Sequence, residues 1–526
     1  MKNYMSEKIQ SGKQAGKNGL QHVIYGRTLI VLILVLLQIA GLVAISQLLQ
    51  GRSMLVYYGF VAIGFVLAMH IINRDMDPYM KIAWIVPILA VPVLGIVCYF
   101  FIQSQTGARR TNKRLREVIQ ETSPYLEQDP DVMRSLQEDD PGVYNLAHYI
   151  ECYGGYPAYR NTSVTYFPLG EDKFREMLIQ LEKARKFIFL EYFIVHDGEM
   201  LDAILDILKR KVKQGVEVRF MYDGMCSLAH LPYDYPKELI ACGIQCKVFS
   251  PIVPVLSTIQ NNRDHRKILV IDGHTAFTGG VNIADEYINR KQRFGHWKDT
   301  AVMIKGDAVK NFTMMFLQMW NIRGLAPESY TRYIQPEGRI SQPADGYVIP
   351  YGDSPLDHEK VGEMVYMDII NQAKKYVHIC TPYLILDDEM ETALRYAAKR
   401  GVDVRIILPH IPDKKYAFLL AKNHYEALIS SGVKIYEYLP GFVHAKVFVS
   451  DNCKCTVGTI NLDYRSLYLH FECGVFVYKN SVVYDVERDF QDTLGRCRRV
   501  TMRDCRNYPG YKKLLGHMLR IFAPLM

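Results

Sequence analysis

Two stretches of the chain carry the same reactive side chains at the same spacing. DHRKILVIDGHTAFTGGVNIADEY holds His265, Lys267, Asp272, Gly279, Gly280 and Asn282. VHAKVFVSDNCKCTVGTINLDYRS holds His444, Lys446, Asp451, Gly458, Thr459 and Asn461. In both, Lys follows His by two residues, Asp by seven and Asn by seventeen. At average residue usage such a match recurs by chance on the order of once in ten thousand chains of this size. Two His, two Lys and two Asn suit a tetrahedral phosphate. The lysines neutralise its charge without needing a metal, and the asparagine amides donate hydrogen bonds to non-bridging oxygens. One neutral imidazole attacks phosphorus. The other, protonated, donates to the leaving alkoxide and then deprotonates an incoming hydroxyl. These roles require opposite protonation states, so the imidazoles are expected to titrate as a coupled pair. The set calls for no cofactor and no metal.

Strands must position these groups. HRKILVI and HAKVFV read as strands, on which residues i and i+2 share a face, so each His projects with its Lys. Asp272-Gly273 and Asp451-Asn452 read as hairpin turns. The returning strands end in Gly-Gly or Gly-Thr, where a small side chain lets backbone approach a ligand. Asn282 and Asn461 follow, near expected helix N-termini that favour an anion. Around the motifs the chain alternates strand and helix: a strand over Lys186–Val195, a helix over Met200–Gln214, a strand over Val216–Asp223. This βαβ rhythm predicts an α/β body. It also repeats. GVEVRF at Gly215 returns as GVDVRI at Gly401, 186 residues on, and DGEM at Asp197 returns as DDEM at Asp387, 190 residues on. Two duplicated domains, 151–335 and 336–526, are expected.

The whole chain sets the context. It has 526 residues, 49% hydrophobic and 22% charged, which excludes intrinsic disorder. Eleven scattered cysteines exclude a disulfide scaffold and suit reduced thiols in the cytoplasm. Cys242/Cys246 and Cys453/Cys455 lack matching second pairs, so zinc is not expected. No Walker loop or dinucleotide fingerprint occurs. The net charge of +8 permits an anionic partner, lipid headgroup or nucleic acid. Three apolar runs, Thr28–Leu49, Met54–Ile72 and Ile82–Ile102, reach or approach the ~20 residues that cross a hydrocarbon core. They predict a basic tail over 1–27, a membrane region over 28–104 with two or three transmembrane helices, and a juxtamembrane linker with short helices over 105–150. Pro87 and Pro92 leave a re-entrant third run as the alternative. The cations flanking these runs divide almost evenly. The denser cluster from Arg109 to Arg116 favours a cytoplasmic body on a multi-pass cell-membrane protein. YKKLLGHMLRIFAPLM reads as an amphipathic helix for an anionic leaflet, or one docked on the body. The arginine-rich tract from Arg496 to Arg506 reads as a solvated or headgroup-facing surface, with no nucleic acid bound.

HxKxxxxD followed by GGxN or GTxN, present twice, resembles the phospholipase D superfamily, and more closely its bacterial cardiolipin synthases. GTINLDYRSLYLHFE (Gly458–Glu472), WKDTAVMIKG (Trp297–Gly306), AWIVPILAVPVLGIVCYFF and the final IFAPLM resemble stretches of those enzymes, and the likeness covers about residues 54–526. The resemblance implies two tandem α-β-α sandwich domains packed with pseudo-twofold symmetry around one active site, preceded by N-terminal transmembrane helices. It implies His265 as nucleophile and His444 as acid/base, the reverse assignment staying open. A carboxylate orients each imidazole: Asp299 for His265 and Glu472 for His444 are the candidates. Asp272 and Asp451 organise the motifs, and Arg465 and Ser466 touch phosphate or support the second motif. The implied reaction joins two phosphatidylglycerols and releases glycerol. A water-using hydrolase, a phosphatidyltransferase taking another donor lipid or alcohol, a nuclease and a silent membrane scaffold are the alternatives.

Overall fold

The computed structural model of the chain describes residues 54–103, 106–251, 261–322, 328–334, 344–357, 359–520 and 523, with six isolated positions between 36 and 47. The expected basic tail and most of the run Thr28–Leu49 lie outside the described residues.

The first repeat contributes β1 (Thr162–Phe167), β2 (Phe187–Tyr192), β3 (Glu217–Asp223), β4 (Gln245–Phe249), β5 (Lys267–Ile271), β6 (Thr275–Gly279), β7 (His296–Lys298) and β8 (Ala301–Gly306). Seven of these form one sheet in the order β1-β8-β6-β5-β2-β3-β4. The second repeat contributes β9 (Tyr347–Asp353), β10 (Tyr376–Cys380), β11 (Asp403–Pro409), β12 (Lys434–Tyr438), β13 (Gly441–Val443), β14 (Val447–Ser450), β15 (Lys454–Gly458), β16 (Glu472–Tyr478) and β17 (Cys497–Arg499). Their sheet repeats the order, β9-β16-β15-β14-β10-β11-β12, with β17 added at the edge. β2, β3 and β4 run parallel, as do β10, β11 and β12. Helices Glu199–Lys213 and Asp388–Lys399 make the first crossovers. β2 reads FIFLEY and is buried at every position, as a strand covered on both faces must be. The α/β reading and the strand–helix–strand succession hold, with boundaries within one residue except the end of β2, which falls at Tyr192 and not Val195.

The repeats exchange helices. Helix Val309–Asn321 of the first is buried on nearly every side. Its Asn311 donates to the carbonyl of Pro350 in the second, at 2.8 Å. Helix Val482–Leu494 of the second reciprocates. Its Asp489 accepts from Tyr166 at 2.6 Å and from Lys298 at 2.7 Å in the first. One apolar cluster therefore runs through both, from Phe189, Ile268 and Phe316 to Ile349, Val475 and Phe476.

The N-terminal region departs from expectation. The run Ile82–Ile102 is two helices, Pro78–Ala90 and Pro92–Gln103, broken at Val91. Pro92 disfavours helical geometry in the residue before it, and Val91 leaves the helical region at φ −136°. Gly95 lets the two helices meet, since a Cβ there would lie 2.5 Å from the Pro87 carbonyl. Helix Met54–Ile72 rises about 28 Å, just under the about 30 Å of a hydrocarbon core. Among the described residues no helix is long and apolar enough to cross a membrane. The expected two or three transmembrane helices therefore have no support there. The three helices pack through Leu67, Ile71, Ile88, Ile96 and Tyr99. They leave Phe65, Val66, Met69, Ile82, Val86 and Leu89 exposed.

Residues 105–150, expected as a linker with short helices, form helices Thr106–Thr122, Pro130–Asp139 and Pro141–Tyr149. Leu115, Leu136 and Leu146 enter the shared core. Thr122 accepts from Gln318 at 2.8 Å and Asp139 from Tyr347 at 2.7 Å, so the segment clasps both repeats. The C-terminal helix Gly510–Arg520 is docked on helix Lys415–Ser430. Gly516 is pressed against Asn423, and Arg520 reaches Tyr79 of the N-terminal hairpin at 2.8 Å. Its outer face exposes Tyr511, Leu514, Leu515 and Met518.

Candidate active site

The main chain of each motif is tied to the opposite repeat. His265 precedes β5, and its N–H donates to the carbonyl of Phe471 at 2.9 Å. The Phe471 N–H returns a bond to Arg263 at 2.8 Å. Symmetrically, β13 pairs with β7, and the His444 N–H donates to the carbonyl of Lys298 at 2.7 Å. One residue beyond each of these contacts stands a carboxylate. His265 Nδ1 donates to Glu472 Oε1 at 2.8 Å, and His444 Nδ1 to Asp299 Oδ2 at 2.7 Å. The expected pairing of Asp299 with His265 and Glu472 with His444 is therefore reversed. Each imidazole takes its carboxylate from the other repeat because the exchanged main-chain bonds deliver it there. Both carboxylates are fully buried. A bond at Nδ1 leaves Nε2 of each neutral ring with its lone pair.

The difference between Gly-Gly and Gly-Thr follows from these carboxylates. A Cβ on Gly280 would stand 2.0 Å from Asp299 Oδ1, so only glycine leaves room for the shorter acid. At the equivalent place Thr459 donates its hydroxyl to Glu472 Oε2 and accepts from the Cys473 N–H at 3.0 Å. The lysines fold back on their own motifs. Lys267 donates to the His265 carbonyl at 2.6 Å. Lys446 donates to the His444 carbonyl and lies 2.9 Å from His444 Nδ1.

Asn282 accepts from the Ile194 N–H at 3.0 Å and donates to Tyr287 at 2.8 Å. Asn461 donates to Ser466 at 3.1 Å, while its carbonyl oxygen is buried without a partner. Ser466 also hydrogen-bonds Glu472. Arg465 opens the turn beside Ser466 and lies in the field of His470 and Arg263. Asp272 and Asp451 stand away from the imidazoles. Asp272 accepts three backbone N–H bonds, from Arg185, Lys186 and Phe187, at 2.7–2.9 Å. Asp451 does the same for Lys374, Lys375 and Tyr376, at 2.7–2.9 Å. Both adopt left-handed φ, 52° and 54°, at the start of the hairpin loops.

Aromatic rings seal the site. Phe193 meets His265 edge-on at 4.8 Å, and Tyr287 and Trp297 lie 5.4 and 5.5 Å from His444. Burial dominates the electrostatics. It pushes the His265 imidazole well down, with Lys267, His470, Lys446 and His444 adding to the effect. It takes His444 down to about 4, with Lys446 adding and Asp299 opposing. It lowers Lys267 to about 8 and Lys446 to about 7, and it raises the Glu472 carboxyl well above its ordinary value. Burial thus disfavours charge on both histidines, both lysines and Glu472, and an entering phosphodiester anion supplies a counter-charge for the lysines.

Sequence spacing missed His470. It is buried, its ring lies 5.5 Å from that of His265, and neither ring nitrogen has a partner. No second copy of the motif carries a histidine there, so the repeat gave no signal. His265, His470 and Glu472 each place one ligand atom within 4.8 Å of the others, a set that could hold a cation. The lysines beside it oppose one. A second such set, His148, Glu151 and Cys152, lies on the surface.

A family model described as "Cardiolipin synthase, PLD-like domain" matches residues 177–320 and 366–494. Another, "Phospholipase_D-nuclease N-terminal", matches 62–103. An uncharacterized protein of Streptococcus mutans is 53% identical over 458 residues, covering 87% of this chain and 99% of its own. A cardiolipin synthase of Alkalihalophilus pseudofirmus is 32% identical over 458 residues, covering 86% and 90%. The crystal structure of a phosphatidylserine synthase from Haemophilus influenzae shares the fold. The TM-score is 0.55 at 16% identity, over 72% of this chain and 98% of that one. Paired histidines on exchanged repeats and family matches over both repeats coincide: the chain belongs to the cardiolipin synthase family of phospholipase D-like phosphatidyltransferases.

Proposed function

We propose that the protein makes cardiolipin by transferring a phosphatidyl group from one phosphatidylglycerol to another. His265 Nε2 attacks the phosphorus of the first lipid. The bond to the glycerol oxygen breaks, and that oxygen takes the Nε2 proton of His444, which enters the step as imidazolium once the bound phosphate supplies the counter-charge its empty site lacks. Glycerol leaves and a phosphatidyl group remains on His265. The terminal hydroxyl of the second phosphatidylglycerol gives its proton to His444 and attacks the same phosphorus. Cardiolipin forms and His265 is regenerated. Lys267 and Lys446 balance the charge on the non-bridging oxygens, with Asn282 and Asn461 beside them. One phosphodiester bond replaces another, so no energy source is needed.

The observation that carries this reading is the pair of imidazoles, each gripped at Nδ1 by a carboxylate of the opposite repeat. Transfer is favoured over hydrolysis by the aromatic sheath around both rings, which limits the water able to resolve the intermediate. The exposed apolar faces of the N-terminal hairpin and of helix Gly510–Arg520, joined through Arg520 and Tyr79, suit attachment to the bilayer holding both substrates. The test is to incubate the detergent-solubilised protein with headgroup-labelled phosphatidylglycerol, beside His265→Ala. Cardiolipin and free glycerol are expected from the wild type alone. Phosphatidic acid as the only lipid product would make it a hydrolase.

A further inference from the structure

Position −2 from each orienting carboxylate packs against the opposite catalytic imidazole. In the first repeat it is Trp297, whose ring lies 5.5 Å from that of His444. In the second it is His470, whose ring lies 5.5 Å from that of His265. An aromatic ring fills this position in one repeat, so packing alone does not call for an imidazole in the other. His470 is 8% exposed, and Nδ1 and Nε2 are both buried without a hydrogen-bond partner. The nearest carboxylate oxygen, Glu472 Oε1, is 3.8 Å from its Nδ1 and already accepts from His265.

A buried, unbonded imidazole beside the nucleophile needs a partner that arrives with the substrate. The charges facing it identify the kind. Burial first, and then the cations Arg465, Lys267, Lys414 and Arg263, disfavour protonation of His470. Arg263 is paired with Asp223 at 3.5 Å, Lys267 is bonded to the His265 carbonyl, and Lys414 lies over the Tyr383 ring. Glu472 is the acid next to it. Such a surround repels a metal cation and attracts an anion. A ring nitrogen of His470 lies within 4.8 Å of one on His265, so an oxygen on phosphorus held by His265 comes within its reach.

We propose that His470 is a third substrate-contacting histidine, donating a ring N–H to a non-bridging oxygen of the phosphate bound at His265. This rests on the phosphatidyl-transfer reading for its substrate, but not for the anion site itself.

Tungstate, a tetrahedral oxyanion, serves as the probe for the full-length protein in detergent, with binding measured by calorimetry beside turnover of phosphatidylglycerol. His470→Ala is expected to weaken tungstate binding at least tenfold and lower kcat/KM by a larger factor, with Tm unchanged. His470→Asn places an amide N–H near the position of Nδ1, and His470→Gln near that of Nε2. One of the two is expected to restore tungstate binding to within a few-fold of wild type. Tungstate binding unaltered in His470→Ala overturns the proposal. So does failure of both amides to restore it, which makes His470 a packing residue. A wild type that binds tungstate through His470 but yields no cardiolipin leaves the anion contact standing and removes the cardiolipin synthase reading instead.

Discussion

At the scale of single residues, each catalytic imidazole depends on an acid that sequence distance assigns to the other. Glu472→Gln acts on His265, and Asp299→Asn acts on His444. Each is expected to lower kcat by about 10²–10⁴-fold. They should differ in where the reaction stalls. Glu472→Gln should slow chiefly the attack that releases the first glycerol, and Asp299→Asn should slow both glycerol release and cardiolipin formation, because His444 serves both steps. Rapid-quench measurement of both products separates the two. Protonation gives a second expectation. Lys446 and Lys267 are charged only below about 7 and about 8 in the empty site, because burial lowers both. Since kcat/KM reports the free enzyme, it should fall as pH rises through that range. Lys446→Arg keeps its charge, so in a pH–rate profile the residual activity should lose the lower of these two breaks. The motif residues were legible because their spacing is local and repeated. The carboxylate pairing was not, because partners 207 and 145 residues apart are chosen by an exchange between repeats. His470 was not, because it breaks the repeat.

At the scale of elements, the hairpin aspartates and the glycine pair separate folding from chemistry. Asp451 ties three successive backbone N–H groups at the entrance of β10 to the loop between β14 and β15. Its replacement by Ala should remove about 2–4 kcal/mol of stability, read from denaturant midpoints. Gly280→Ala should do the opposite. Its Cβ collides with the Asp299 carboxylate, so turnover should fall at least tenfold while the denaturant midpoint changes little. The β strands were legible because alternation and β-branched runs are local signals. The bend in the third apolar run was legible in Pro87 and Pro92, and the break falls at Val91, before the second of them. The short helices of 105–150 were expected, and Pro130 and Pro141 mark their starts; their docking on both repeats was a property of packing.

At the scale of the molecule, two similar repeats form one site and neither holds a complete one. Residues 1–335 contain His265 without Glu472, and residues 336–526 contain His444 without Asp299. Produced apart, the two fragments should be inactive, and co-expression should restore turnover; activity in either alone would contradict the exchange. The duplication was legible from GVEVRF and GVDVRI, but the way the copies cross was a property of packing. The measurement that bears most directly on the proposed mechanism is to locate the covalent intermediate. Wild-type protein is mixed with phosphate-labelled phosphatidylglycerol, quenched in neutral denaturant within the first turnovers, and mapped by mass spectrometry. A phosphatidyl group on His265, lost as cardiolipin when unlabelled phosphatidylglycerol is added to the unquenched enzyme, is the expected result. Label on His444, or cardiolipin formed with no labelled histidine, would contradict it.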